Sequence, residues 1–204
     1  NSRYVRPIAI WTMKEEYEEN VTETLENAFG ELKEKGNLPT VLISTTFNAV
    51  EDNYPDYLSD LIYYRDNSFL EELDKLNVEV TFKEVVKNSV AYLLLVRCGY
   101  SADEFFNPED FLCVANFNTL DTITRLGTAV RDISEMILKE IGATVKDLQR
   151  TERKQNRTFA KKMELRHNEG GNNKDKGKDE YGADLHKAGR LSDTRSDASG
   201  GGNA

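Results

Sequence analysis

Histidine and cysteine decide first what chemistry this chain can attempt. Its 204 residues include 2 His and 2 Cys. Both histidines, His167 and His186, fall in a polar C-terminal stretch, and residues 1–148 contain none. A zinc site of the His-Glu-x-x-His kind needs two imidazoles on one helical face. A Ser-His-Asp or Cys-His pair needs an imidazole beside its nucleophile. Neither can be assembled from the first 148 residues. Cys98 and Cys113 form no CxxC pair. Two cysteines are too few for a disulfide framework, so they are expected to be reduced core residues in a cytoplasmic protein. No catalytic residue, metal ligand or cofactor is assigned.

Phosphate chemistry finds no cradle either. The chain has no Gly-x-x-x-x-Gly-Lys-Ser/Thr loop and no Gly-x-Gly-x-x-Gly after a strand. Gly200-Gly201-Gly202 sits in a polar stretch and reads as linker. Adjacent acids such as Glu15-Glu16, Glu18-Glu19 and Glu71-Glu72 point about 100° apart on a helix and do not converge. They read as solvated faces. What stands out is cationic. From Lys146 to Arg166 the chain carries Lys146, Arg150, Arg153, Lys154, Arg157, Lys161, Lys162 and Arg166 against Asp147, Glu152 and Glu164. Such a helix is suited to contacts with nucleic-acid phosphates. It has one aromatic, Phe159, so base stacking is not supported. The alternatives are an exposed connecting helix kept soluble by its charge, or docking on the acidic body or a neighbouring domain.

These residues must be held by helices. Residues 1–148 have 14 basic and 27 acidic side chains, while residues 149–204 have 13 and 9. An acidic body therefore precedes a basic tail poor in large apolar residues. The acidic body itself repels DNA. No apolar run approaches the ~20 residues that cross a bilayer, so no membrane contact is expected, nor any small-molecule substrate. The start carries no basic-then-apolar leader. A start at Asn1 and an end in Gly-Gly-Gly-Asn-Ala read as a fragment of a longer protein.

The apolar spacing is helical throughout. Thr12-Met13-Lys14-Glu15 reads as a capping box opening a helix along Tyr17, Val21, Leu25, Phe29 and Leu32, with Gly36 as its stop. Leu38-Pro39-Thr40 opens the next helix, and Pro55 restarts or kinks it. Ser68 reads as the cap of a short helix, Phe69–Leu76. Asn77-Val78-Glu79-Val80 reads as a connection, and Thr81-Phe82-Lys83-Glu84 as a second capping box. The following helix, Phe82–Arg97, is apolar nearly all round at its end and is expected to be the central buried one, with Gly99 as its stop. Asn107-Pro108 starts another helix. Asn118 starts a long one, ended by Gly142, before the basic helix from Val145. The expectation is an all-α protein of about six to seven helices (residues 1–143), a basic helix (144–166) and a disordered polar tail (167–204).

Several stretches carry a family resemblance. Ser68-Phe69-Leu70-Glu71-Glu72-Leu73-Asp74, Asn77-Val78-Glu79-Val80, Ser89-Val90-Ala91-Tyr92 with Arg97-Cys98-Gly99, Phe117-Asn118-Thr119-Leu120 and Leu126-Gly127 resemble the N-terminal region of large mobile-element proteins, and the tail segments Tyr181 to His186 and Gly189 to Asp197 resemble the polar linker that follows it. Those proteins, from integrative and conjugative elements of Firmicutes, are similar to DNA methyltransferase and Swi/Snf-type helicase fusions. Their start resembles ArdC/LtrC-type antirestriction proteins, in which a DNA-binding domain precedes a metallopeptidase-like one. The relatives' Glu-Ala-Glu-Ser-Val-Ala-Tyr pattern is matched here by Val86-Lys87-Asn88-Ser89-Val90-Ala91-Tyr92, with both acids gone. The resemblance thus implies a degenerate, metal-free helical module of a DNA-processing parent, with the parent's other domains and DNA as partners. It transfers no catalytic residue. The alternatives are an enzyme fragment, either part of a methyltransferase activity or a residual metallopeptidase, and an acidic DNA-mimic antirestriction protein.

Overall fold

The computed structural model describes residues 11–171, with side chains through residue 165. Expectations about Asn1–Ile10, about the tail after Gly171 and about the side chains of Arg166, His167 and His186 fall outside the described residues. Four α-helices form: α1 (Glu18–Phe29), α2 (Leu38–Tyr63), α3 (Lys75–Cys98) and α4 (Leu120–Gly171), with short 3-10 turns at Glu15–Tyr17, Ala102–Glu104 and Pro108–Asn116. No strand occurs among the described residues. The protein is all-α. The chain divides into two units, residues 1–157 and 158–204.

The starts of α2 and α3 are each set by a side chain that satisfies an orphan backbone N–H group. Asn37 caps α2 by accepting from the Thr40 N–H at 3.1 Å, with Pro39 in the first turn. Asp74 caps α3 by accepting from the Asn77 N–H at 2.8 Å. Two expected starts are therefore corrected. The Thr81 box lies inside α3, because Val78, Phe82, Val85 and Val86 form one buried stripe that already begins at Val78. The segment 77–80 is helix, not a connection. Thr12 caps nothing, since the first turn begins after Lys14 without a side-chain cap. Residues 64–73 form turns in place of the expected Phe69–Leu76 helix, and the Ser68 hydroxyl accepts from the Leu70 N–H at 3.2 Å.

The stops differ from expectation in a physical way. Gly30, with φ of 85°, ends α1, six residues before Gly36. Asn48 then holds the departing chain by donating to the carbonyls of Phe29 (3.1 Å) and Glu31 (3.0 Å). Gly99 takes the left-handed cap of α3 (φ 93°), as glycine is suited to do. Pro55 lies within α2, which runs through it. Gly142 does not end a helix. The buried stripe Ile133, Ile137, Ile141 and Val145 continues in one register across it. A helix whose core face is uninterrupted tolerates the ~1 kcal/mol cost of an interior glycine. Among the described residues, four α-helices and three 3-10 turns thus stand where about six to seven helices were expected.

The core of the first unit joins Val21 and Leu25 of α1, Leu42, Val50 and Leu61 of α2, Phe82, Val86 and Leu94 of α3 and Ile133 to Val145 of α4. The α3 terminus is only half covered. Val90, Ala91, Leu94 and Leu95 are buried, whereas Tyr92, Leu93 and Val96 are exposed, so the expected all-round burial does not hold. Trp11 packs at the same end. The Arg97 guanidinium lies 3.8 Å from its ring centroid and donates to its carbonyl at 3.3 Å. A Cβ at Gly142 would stand 2.7 Å from the Trp11 Nε1. Glycine is thus required here for close approach, not for a turn.

On the outer side of α2, Glu51 accepts from Lys87 (2.5 Å) and Lys83 (3.1 Å) of α3. Burial acts against its charge, yet the two ammonium groups hold its carboxyl below the ordinary value of 4.5. A lowered folded value means stability that is present above the unfolded value and lost as pH falls through the folded one. Glu51→Gln is expected to cost about 0.5 kcal/mol at pH 7 and to flatten the decline in stability below about pH 4.5, read by urea unfolding across pH. Gly142→Ala is expected to push the indole aside. The emission of the protein's 1 Trp should shift to longer wavelength, while stability moves by no more than about 1 kcal/mol because the helix gains propensity. An unchanged emission would contradict the close packing of Trp11 on Gly142.

Candidate nucleic-acid interface

The helix that carries the cations is fixed by its opposite side. At 100° per residue, Ile133, Ile137, Ile141, Val145 and Leu148 fall on one side of α4 and pack on the core. Glu152 continues that side and accepts from Lys14 at 2.9 Å, and Lys14 also reaches Glu16 at 2.8 Å. Hydrogen bonding to Glu16, then to Tyr17 and Glu152, raises the Lys14 ammonium value, and Lys14 sits 4.9 Å above the Tyr17 ring. Thr144 adds a 3.0 Å hydroxyl contact to Thr24 of α1. These contacts set the rotation of α4 about its own axis.

That rotation aims the basic residues outward. Lys146, Arg150, Arg153, Lys154 and Arg157 are all exposed. Their positions fall within an arc of about 100°, on the side away from the core, over an axial length of about 17 Å. Arg150 pairs with Asp147 at 2.8 Å, but both side chains are 72% exposed, so the pair is weak and exchangeable. Lys146, Arg153 and Arg157 make no ion pair among the described residues. Within residues 158–204, Lys161 and Lys162 are exposed on helix, and Arg166 is helical in backbone. The expected set is thus helical throughout, and five of its eight members share one face within residues 1–157.

A groove of about 820 Å³ runs into this face. Trp11, Leu93, Val130 and Leu138 give it an apolar lining, and Lys146 and Arg150 line it together with Arg131, Lys139, Glu135 and Asp147. Sequence reasoning missed the groove, because it treated Gly142 as a helix end and the α3 terminus as buried. The signal was there in the spacing, since Val145 and Leu148 keep the period of Ile137 and Ile141.

The remaining reactive groups behave as packing residues. Cys98 is buried, and burial pushes its thiol up to about 12, with Arg97 opposing weakly. Among the described residues, no group of three or more His, Cys, Asp or Glu side chains converges in a way that could hold a metal ion. No helix among them is long and apolar enough to cross a membrane. Comparison with known proteins finds no match to any family model, curated protein or solved structure.

At pH 8, iodoacetamide is expected to alkylate Cys98 at least about a hundredfold more slowly than an exposed thiol, because so little of it is thiolate. The half-exposed Cys113 should react first. Mass spectrometry of the labelled peptides separates the two, and preferential labelling of Cys98 would contradict its burial.

Proposed function

We propose that this chain is a non-catalytic helical module of a DNA-handling protein, and that the outward face of α4 contacts nucleic-acid phosphates. One observation carries the reading. Five exposed cations share an arc of about 100° on a helix whose other side is locked into the core. A continuous cationic face of this kind neutralises phosphates without reading bases, so the contact is sequence-independent. With 14 basic and 27 acidic residues in positions 1–148, the rest of the chain repels DNA and leaves α4 as the surface that can approach it. The resemblance to mobile-element proteins supports a parent in which other domains supply methylation or strand translocation. This module then positions them on DNA in the cytoplasm.

The test is a salt titration of binding to a labelled duplex, using the full 204-residue chain. Five phosphate contacts predict a slope of log K against log salt of about −4 to −5. Arg153→Gln with Arg157→Gln should reduce the slope by about 2 and weaken binding equally on unrelated sequences. Both positions are exposed, so the fold is unaffected. No binding at 20 mM salt, or an unchanged slope in the double variant, would remove the nucleic-acid role.

A further inference from the structure

A second surface differs from α4 in every respect. Tyr92, on the exposed side of α3, meets Phe106 and Phe111 from the two turns that follow. The ring centroids lie 6.4 Å apart for Tyr92–Phe106, 5.7 Å for Tyr92–Phe111 and 5.9 Å for Phe106–Phe111, with planes inclined by 52°, 90° and 56°. The rings are not stacked. Tyr92 and Phe111 meet edge to face, the other two pairs are tilted, and the three rings line a pocket of about 350 Å³ with Asp103, Asn107 and Pro108. Such a volume sits at the small end of ligand pockets, which run from about 300 to 1,000 Å³.

The pocket is built rather than incidental. The Asn107 N–H donates to the Asp110 carboxylate at 2.8 Å, and Asn88 of α3 donates to the Asp110 carbonyl at 2.8 Å. These bonds fasten the turn that carries Phe111 onto α3. They also occupy Asp110. Asp103, by contrast, makes no hydrogen bond or ion pair among the described residues, and it lines the pocket. Along the chain, the flanking charge has one sign. No Lys or Arg lies between Arg97 and Arg125, whereas Asp103, Glu104, Glu109, Asp110 and Asp121 do.

We propose that this pocket is an aromatic cage for an alkylated ammonium group, presented by a methylated lysine of a basic peptide. Ring faces attract a cation, and alkylation lowers the cost of stripping its water. Asp103 supplies the counter-charge. The acidic flanks favour a basic peptide over phosphocholine, whose phosphate they would repel. The cage shares no residue with the basic face of α4, so either can fail without the other.

The experiment compares choline with 3,3-dimethylbutanol, which has the same shape without the charge, by ligand-observed NMR on the whole chain. The expected result is saturable upfield movement of the choline N-methyl signal, with the neutral analogue bound at least about tenfold more weakly. Asp103→Asn, an exposed change that leaves the fold alone, and Phe111→Leu should each weaken choline binding several-fold. A lysine-rich peptide bearing one trimethyl-lysine should bind more tightly than its unmodified form and more tightly than phosphocholine. Equal binding of choline and its neutral analogue, no binding of either, or full binding in Phe111→Leu overturns the cage. Phosphocholine binding above the peptide overturns the peptide assignment.

Discussion

The register of α4 governs the rest of the first unit. One apolar period runs from Ile133 through Ile137 and Ile141 to Val145, without a break at Gly142. Because the period is unbroken, the side of the helix facing away from the core is also unbroken, and the cations from Lys146 to Arg157 inherit one direction. A helix end at Gly142 would have released residues after it to take any orientation. The glycine does opposite work: it lets Trp11 approach the α4 backbone, where a Cβ would stand 2.7 Å from the indole nitrogen. The Thr24–Thr144 contact ties α4 to α1 beside the last buried apolar residue, Val145, and Lys14–Glu152 fixes rotation beyond it.

Much of this was legible in the residues. The all-α class followed from spacings of three and four. The Leu38-Pro39-Thr40 and Asn107-Pro108 starts and the Gly99 stop follow from local chemistry that tertiary context does not override. At Thr81 and Gly142 the apolar period around a local punctuation signal overrides it. At Gly36 the reverse holds, since Gly30 stops α1 although the apolar spacing runs on to Leu32. Capping groups contribute about 1 kcal/mol. A stripe of four buried side chains such as Val78, Phe82, Val85 and Val86 contributes several times that. At Thr81 burial therefore decides, and the capping motif becomes an ordinary helical stretch. The basic face was legible as composition, but its shared direction was not, because direction depends on the register through Gly142.

The exposed half of the α3 terminus follows from the same balance. Val90, Ala91, Leu94 and Leu95 fill the space between helices, and Tyr92, Leu93 and Val96 are left outside it. A run of seven apolar residues on a helix cannot be buried on all sides unless neighbours cover every side. Here two neighbours take up part of the surplus. Leu93 lines the groove with Trp11, and Tyr92 receives the two phenylalanines of the following turns. The sequence predicts the excess of apolar surface; only the packing shows that it is shared between two concave sites.

Charge separates those sites more sharply than shape does. The groove is lined by Arg131, Lys139, Lys146 and Arg150 against Glu135 and Asp147, and the aromatic pocket by Asp103 in a stretch that has acids and no bases between Arg97 and Arg125. At physiological salt the field of exposed charges decays within about 8 Å, so each site presents its own sign to a partner rather than the net −9 of the chain. A net charge would predict one class of partner and exclude the other. Segregated charge allows a polyanion and a cation to be met on one scaffold, with neither needing a catalytic group. On the proposed reading, the acids that would keep DNA off the rest of the chain would also draw a cation toward the rings. Neutralising them would weaken the exclusion of one partner and the attraction of the other together.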